Sequence, residues 1–159
     1  MSDSSPDDPK RLISPSEIAR GTGVLSICLR CRDGREDALE GVRGGARLAD
    51  AVLATGVAHC DLAVRGVHCL SQCKRPCAIA VSGQGRFTYL FGDLDPLRDA
   101  AAVIALAKLY AASPDGFMAR NARPYPMQAG VLGRVPPLDW GGDAVETVDL
   151  IPGPSWGTE

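Results

Sequence analysis

Cysteine side chains are the residues of this sequence whose type and spacing most clearly indicate chemistry. Five of the six cysteines fall in two short segments. They are Cys28 and Cys31 in the first segment, and Cys69, Cys73 and Cys77 in the second. Each segment follows an apolar run, residues 24–27 and 62–68, of the kind that forms a strand. Thiolates at two strand ends can reach one centre. We therefore expect Cys28, Cys31, Cys69 and Cys73 to hold a metal, with an iron–sulfur cluster as the leading interpretation.

The spacing alone leaves the kind of site open. A close pair of cysteines from each of two loops also suits tetrahedral zinc. Cys28 and Cys31 could instead form a dithiol redox pair, because thioredoxins place such a pair at a strand–helix junction. That interpretation leaves the second segment without a role. A further alternative is that the cysteines are buried as small apolar side chains, which five cysteines in two tight segments disfavour.

Cys60 and His68 could also be considered as ligands, but we assign neither of them a ligand role. Cys60 follows His59, away from both segments in the sequence, and we expect it to be a bystander. His68 directly precedes Cys69, and neighbouring residues of a strand face opposite sides. If Cys69 faces the metal, His68 therefore does not.

Basic residues lie among the expected ligands. They are Arg30, Arg32 and Arg35 in the first segment, and Lys74 and Arg75 in the second. An iron–sulfur cluster on four thiolates carries excess negative charge. Nearby cations would stabilise that charge. We also expect Arg30, Arg32, Lys74 and Arg75 to attract an acidic redox partner protein by electrostatic steering.

Length and composition bound the class of protein. A chain of 159 residues with near-zero mean hydropathy contains enough apolar residues for one folded domain. The net charge of −2 does not suggest a nucleic-acid surface, and no apolar run is long enough for a transmembrane helix. Residues 1–8 are polar and acidic, unlike a secretory signal, so we expect a cytoplasmic protein whose cysteines bind metal or act in redox chemistry.

The pattern of apolar and turn residues predicts an α/β sandwich. Residues 1–22 are expected to form a flexible leader, residues 23–113 the domain, and residues 114–159 a Pro/Gly-rich C-terminal extension. Strands are predicted at 24–27, 62–68, 77–81 and 86–91, and helices at 46–55 and 95–112. Asp95 is the predicted cap of the second helix, with Pro96 in its first turn. The expected architecture is a β-α-β-β-β-α core with irregular N- and C-terminal tails.

Parts of the sequence also resemble known families. Residues 67–73 and 78–81 are similar to the second half of the thioredoxin-like [2Fe–2S] ferredoxins, which include the small cluster-bearing subunit of bacterial respiratory complex I. Residues 91–96, 113–116 and 134–137 resemble more closely an uncharacterised bacterial family described as predicted metal-binding proteins. That family is grouped with these ferredoxins. The resemblance covers roughly residues 23–138.

The resemblance implies a thioredoxin-like ferredoxin domain that binds a [2Fe–2S] cluster. It makes Cys28 and Cys31 the first ligand pair, and Cys69 and Cys73 the second. The ferredoxins usually separate the first pair by more residues, so Cys77 is kept as a reserve ligand.

The function implied by the resemblance is that of a non-catalytic electron carrier. Members of the resembling family are often encoded near cobalamin-biosynthesis genes, which suggests a cobalamin- or metal-related redox step. By the same analogy we expect a homodimer. From the net charge and the apolar pattern we expect no nucleic-acid partner and no membrane partner. The alternatives are a zinc or cobalt binding carrier or structural protein, and a dithiol oxidoreductase.

Overall fold

One mixed sheet and the helices around it form the described part of the chain. The computed structural model describes residues 23–56 and 62–140, so the predicted leader, Cys60 and residues 141–159 lie outside it. The elements in chain order are β1 (Val24–Cys28), α1 (Gly44–Thr55), β2 (Ala63–Val67), β3 (Ile79–Ser82), β4 (Thr88–Phe91), α2 (Ala100–Ala112), α3 (Pro126–Ala129) and β5 (Val131–Val135). None of the described helices is long and apolar enough to cross a membrane.

The sheet has the strand order β2-β1-β3-β4-β5. β1 pairs parallel with β2, and the other neighbouring strands pair antiparallel. The predicted α/β class and the order β-α-β-β-β-α are therefore confirmed. Because β1 and β2 are parallel neighbours, their carboxyl ends lie at one edge of the sheet. This edge carries the beginning of both cysteine segments.

The core lies on the strands in the middle of the sheet. All five residues of β1 are buried, which explains why the sequence there is a continuous run instead of an alternating pattern. On α1, Leu48 and Val52 are fully buried and lie one turn apart. Leu53, the residue after Val52, is exposed, because one residue turns the side chain by about 100° around the helix.

The second long helix begins later than its apparent cap. The sequence predicts a start at Asp95, whereas α2 begins at Ala100 and Asp99 precedes it. Asp99 Oδ2 accepts the Asp95 N–H at 2.7 Å, and Asp95 Oδ1 accepts the Leu97 N–H at 2.8 Å. Asp95 and Pro96 therefore belong to a separate turn, which uses the same side-chain-to-backbone bonds that a helix cap would use.

The first part of the C-terminal extension is ordered structure and not irregular tail. It contributes α3 and β5, and β5 pairs with β4 as the fifth strand of the sheet. A register shift between Leu90 and Phe91 accommodates this pairing. Pairing between strands 40 residues apart depends on tertiary contacts, so a local pattern rich in proline and glycine does not predict it.

Candidate functional site

The structure brings the two cysteine segments together at the edge where β1 and β2 end. Cys28 is the last residue of β1 and lies beside Val67, the last residue of β2. The Cys28 thiol lies 3.9 Å from the backbone oxygen of His68, to which it donates a weak hydrogen bond. On the other side, the Cys28 N–H donates to the oxygen of Ala78 at 3.0 Å. Cys28 is thus held between the two ends of the second cysteine segment.

Backbone N–H groups surround the Cys28 sulfur. Burial raises the pKa of this thiol. Hydrogen bonds from the backbone of Arg30, Leu70 and Cys31 and from the Cys31 side chain lower the pKa and outweigh the effect of burial. The net pKa lies below the ordinary value of 9.0. Both segments therefore contribute amide donors that favour the thiolate form of Cys28.

Cys31 has the opposite electrostatic character. Burial raises the pKa of its thiol to about 12, against a hydrogen bond from the backbone of Ala78 that lowers it. A side-chain hydrogen bond with Cys28 and the charges of Cys28 and Cys73 raise it further. Cys28 and Cys31 are thus direct neighbours, and the thiolate of Cys28 disfavours ionisation of Cys31. Cys73 is close enough for its charge to act on Cys31 as well.

Cys77 is the most buried of the described cysteines, with no exposed surface. Burial raises the pKa of its thiol to about 12, and the charges of Cys31 and Asp33 act in the same direction. The charge of Arg47 acts against them. Cys77 therefore faces the same group of charges as the first cysteine segment.

Cys69 and Cys73 are exposed on the loop that follows β2. The Cys69 sulfur accepts the N–H of Ser71 at 3.2 Å, within its own loop. Within residues 23–56 and 62–140, no three His, Cys, Asp or Glu side chains are grouped so that they could hold a metal ion. Cysteine sulfur atoms with amide N–H groups around them are the kind of ligand that a soft metal prefers. In this structure, however, the exposed thiols of Cys69 and Cys73 are not grouped with the buried thiols.

An ion-pair network beside the cysteines was not expected from the sequence. Asp33, whose side chain is 8% exposed, pairs with Arg47 of α1 and with Arg35 Nε at 2.7 Å. Arg35 Nη2 continues to Asp95 Oδ1 at 3.0 Å. Burial raises the pKa of Asp33, but hydrogen bonds from Arg35 and Arg47 outweigh it and lower the pKa below the ordinary value of 3.8. The loop between Cys31 and α1 is therefore fixed by charge.

The first turn of α1 lies directly against the first cysteine segment. The Gly45 N–H donates to the oxygen of Cys31 at 3.0 Å, and a Cβ on Gly45 would lie 1.9 Å from the oxygen of Cys28. A Cβ on Gly44 would lie 2.8 Å from the Asp33 carboxyl carbon. Only glycine permits this approach. The pair Gly44-Gly45 was the signal in the sequence that could have identified the contact.

The predicted docking residues differ in their surroundings. Arg30, Arg32 and Lys74 are exposed. Arg75 is engaged with Asp93, with 2.7 Å between Arg75 Nε and Asp93 Oδ2. Three of the four predicted cations are thus displayed beside the cysteine edge, and the fourth has a carboxylate partner.

Fold and site together define a mixed α/β protein with a cysteine-rich edge at the ends of its parallel strands. A family model described as protein of unknown function (DUF1636) matches residues 25–137. The chain belongs to this family. The matched range contains both cysteine segments and extends through β5. No curated protein and no solved structure matches the chain.

Proposed function

We propose that this protein binds a [2Fe–2S] cluster and transfers single electrons, in a fold of thioredoxin-like type. The ligands in this proposal are Cys28, Cys31, Cys69 and Cys73, with Cys77 in reserve. The observation that carries it is the meeting of the two cysteine segments at one edge, where the Cys28 thiol donates to the His68 oxygen. Hydrogen bonds from the backbone of both segments favour the thiolate form of Cys28. Such N–H groups stabilise anionic sulfur and tune the reduction potential of iron–sulfur sites.

The chain's own residues have three tasks in this proposal. The cysteines ligate, the amides of Arg30, Leu70 and Ser71 donate to sulfur, and the Asp33 network holds the first segment in place. The cluster, when bound, supplies the one-electron chemistry. Since the exposed thiols are not grouped with the buried pair, the proposal requires the loop of Cys69 and Cys73 to move toward Cys28 on binding.

The exposed cations beside the site suggest the chemistry of the electron partner. Arg30, Arg32 and Lys74 have exposed side chains close in sequence to the proposed ligands. We infer that they bind an acidic redox protein. Arg75 would contribute less to this binding, because it already pairs with Asp93. A cobalamin- or metal-related step remains the proposed destination of the electrons, on the family resemblance alone.

A dithiol oxidoreductase is the second candidate. The side-chain hydrogen bond between Cys28 and Cys31, with one pKa lowered and the other raised, is the arrangement of a nucleophilic and a resolving thiol. Each of these residues is only 3% exposed, however, and a dithiol enzyme must present its nucleophile to a substrate. The cluster proposal needs no such access and also gives the second cysteine segment a role.

The test is the visible absorption spectrum of anaerobically purified protein, with iron and zinc counted on the same sample. We expect a red-brown protein with about two irons per chain. A colourless protein with about one zinc would support a carrier or structural role and overturn the electron-transfer proposal. A metal-free protein that reduces disulfides would support the dithiol function.

Serine variants test the ligand set on the same measurements. Cys28→Ser, Cys31→Ser, Cys69→Ser and Cys73→Ser should each lose most of the iron or strongly alter the spectrum. Cys60→Ser is the matched control and should retain both. Equal damage from Cys60→Ser and Cys69→Ser would show that the proposed ligand set is wrong.

A further inference from the structure

A second region of the protein combines aromatic rings with arginine side chains. Phe87, Tyr89 and Phe91 alternate along β4 and the residue before it, which places them on one face of the sheet. The ring centroids of Phe87 and Tyr89 are 6.5 Å apart, and those of Tyr89 and Phe91 are 5.8 Å apart. Phe117 and Trp140 contact Phe87 at 5.6 and 4.9 Å.

Two arginines lie over this row of rings, and a third lies one turn away from one of them in the chain. The Arg123 guanidinium lies 5.8 Å from the centre of the Tyr89 ring. Arg134 is the residue of β5 that pairs with Tyr89, and its guanidinium lies 5.2 Å from the Phe117 ring. Arg120 lies one turn before Arg123, whose N–H donates to the Arg120 oxygen. We refer to Arg120, Arg123 and Arg134 with these rings as the arginine–aromatic region.

These three arginines share the absence of a carboxylate partner within the described part of the chain. Arg123 is the notable case, because it is only 9% exposed and buried charges are normally paired. Its Nη1 donates to the oxygen of Met127 at 3.2 Å. Burial lowers the pKa of Arg123, and the charges of Arg134 and Arg120 lower it further.

The unpartnered polar atoms of this region are all hydrogen-bond donors. Arg123 Nε is buried without a partner, and so is Nε1 of Trp140, whose ring lies against Phe87. A buried donor without an acceptor costs about 1–3 kcal/mol. The charges of Arg120 and Arg134 both act against the charge of Arg123, and two donors have no acceptor. An anion that accepts hydrogen bonds would compensate both.

We propose that the arginine–aromatic region binds a small oxyanion of the phosphate type, such as a free phosphate or the phosphate group of a larger metabolite. Guanidinium groups bind phosphate through paired N–H donors, and Arg is the residue best suited to such recognition. A phosphate dianion would offset the repulsion among three cations better than a single carboxylate would. The proposal is independent of the cysteine site, since none of its residues lies in either cysteine segment.

Isothermal titration of the full-length protein with inorganic phosphate tests the proposal. We expect saturable binding at one site per chain, with a dissociation constant below about 1 mM. Acetate and chloride at the same ionic strength should give binding at least about tenfold weaker. Acetate that binds as tightly as phosphate would overturn the assignment to the phosphate class, and no saturable heat with phosphate would overturn the site.

Single substitutions locate the site. Arg134→Gln removes an exposed cation and should raise the dissociation constant of phosphate at least about tenfold without unfolding the protein. Arg98→Gln is the matched control, since Arg98 is also exposed, with 75% of its side chain accessible, but lies on the turn before α2. It should leave the dissociation constant within about twofold. Equal effects of the two substitutions would reduce the site to general charge attraction and overturn the proposal.

Arg123→Lys tests the buried member of the site. Lysine keeps the charge but loses the paired donors, so phosphate binding should weaken while circular dichroism stays that of the parent protein. Should this variant fail to fold, Arg120→Gln gives the same test at an exposed position. Phosphate binding that is unchanged in both Arg120→Gln and Arg134→Gln would overturn the proposal.

Discussion

The cysteine edge and the arginine–aromatic region compensate their cations in different ways. At the cysteine edge, arginines pair with carboxylates. The pairs are Arg47 and Arg35 with Asp33, Arg35 with Asp95, and Arg75 with Asp93. In the arginine–aromatic region, Arg123 and Arg134 lie instead over the rings of Tyr89, Phe87 and Phe117. At the cysteine edge these arginines have carboxylate partners, while Arg30, Arg32 and Lys74 stay exposed. In the arginine–aromatic region, no arginine has a carboxylate partner among the described residues.

The difference indicates which kind of ligand each region could bind. Thiolates and a cluster would bring negative charge to the cysteine edge, where amide dipoles stabilise sulfur and Arg35 and Arg47 are paired with Asp33. Aromatic faces attract a cation without cancelling its charge. In the proposed phosphate site, Arg123 and Arg134 therefore keep the charge that would attract an external anion.

The two regions also differ in how closely the backbone packs. At the cysteine edge, a Cβ on Gly45 would lie 1.9 Å from a backbone oxygen. On β5, beside the arginine–aromatic region, a Cβ on Gly133 would meet nothing within 4 Å. At Gly45 the chain thus has no room for a larger residue, whereas at Gly133 it has.

Replacing Gly45 with alanine should produce the largest effect of the changes considered. In a helix, alanine is normally favoured over glycine by about 1 kcal/mol. Here the new Cβ would collide with the backbone of Cys28 and push α1 away from it. We expect a loss of about 3 kcal/mol in the free energy of unfolding, measured by urea denaturation.

Gly133→Ala is the matched control for that measurement. Its Cβ has open space, and Gly133 is not among the glycines with positive φ, so we expect a change within about 0.5 kcal/mol. A Gly45→Ala protein as stable as its parent would mean that the close contact between α1 and Cys28 is not required.

Asp33→Asn should have the next largest effect. The substitution leaves the shape of the side chain and removes the charge that faces Arg35 and Arg47. Hydrogen bonds to charged groups contribute about 1.5–3 kcal/mol, so we expect a loss of about 2 kcal/mol in the free energy of unfolding at pH 7.

The pH dependence gives the sign of the Asp33 contribution. Its pKa is lowered in the folded protein, so the stabilisation is present above the ordinary value of 3.8 and is lost as the pH falls through the folded pKa. The parent and Asp33→Asn proteins should therefore converge in stability in acid. A difference between them that stays constant from neutral to acid pH would rule out the ion pair as its source.

Local sequence patterns predicted the elements better than the contacts between them. Apolar runs and turn residues were enough for β1 through β4 and for the order of strands and helices. They placed the start of α2 at Asp95, because capping residues look alike whether they begin a helix or close a turn. They also missed β5, whose place in the sheet depends on its pairing with β4.

The candidate site shows the same division. Cysteine type and spacing predicted that two segments would meet, and the parallel pairing of β1 with β2 explains why they do. The Asp33 network could not be predicted, because one of its ion pairs joins Arg35 to Asp95, 60 residues away in the chain. Charged loops look alike in sequence whether their side chains are solvated or buried.

Asp93→Asn should have the smallest effect and separates buried from exposed ion pairs at the cysteine edge. Arg75 and Asp93 form a close pair, but their side chains are 46% and 47% exposed, and exposed pairs add little to stability. Asp93 has a φ of 60°, which asparagine also tolerates, so the backbone is unaffected. We expect no resolvable change in the urea midpoint. If Asp93→Asn lowered the stability as much as Asp33→Asn, exposed and buried ion pairs would contribute equally at this edge. The burial of Asp33 would then not explain the size of its contribution.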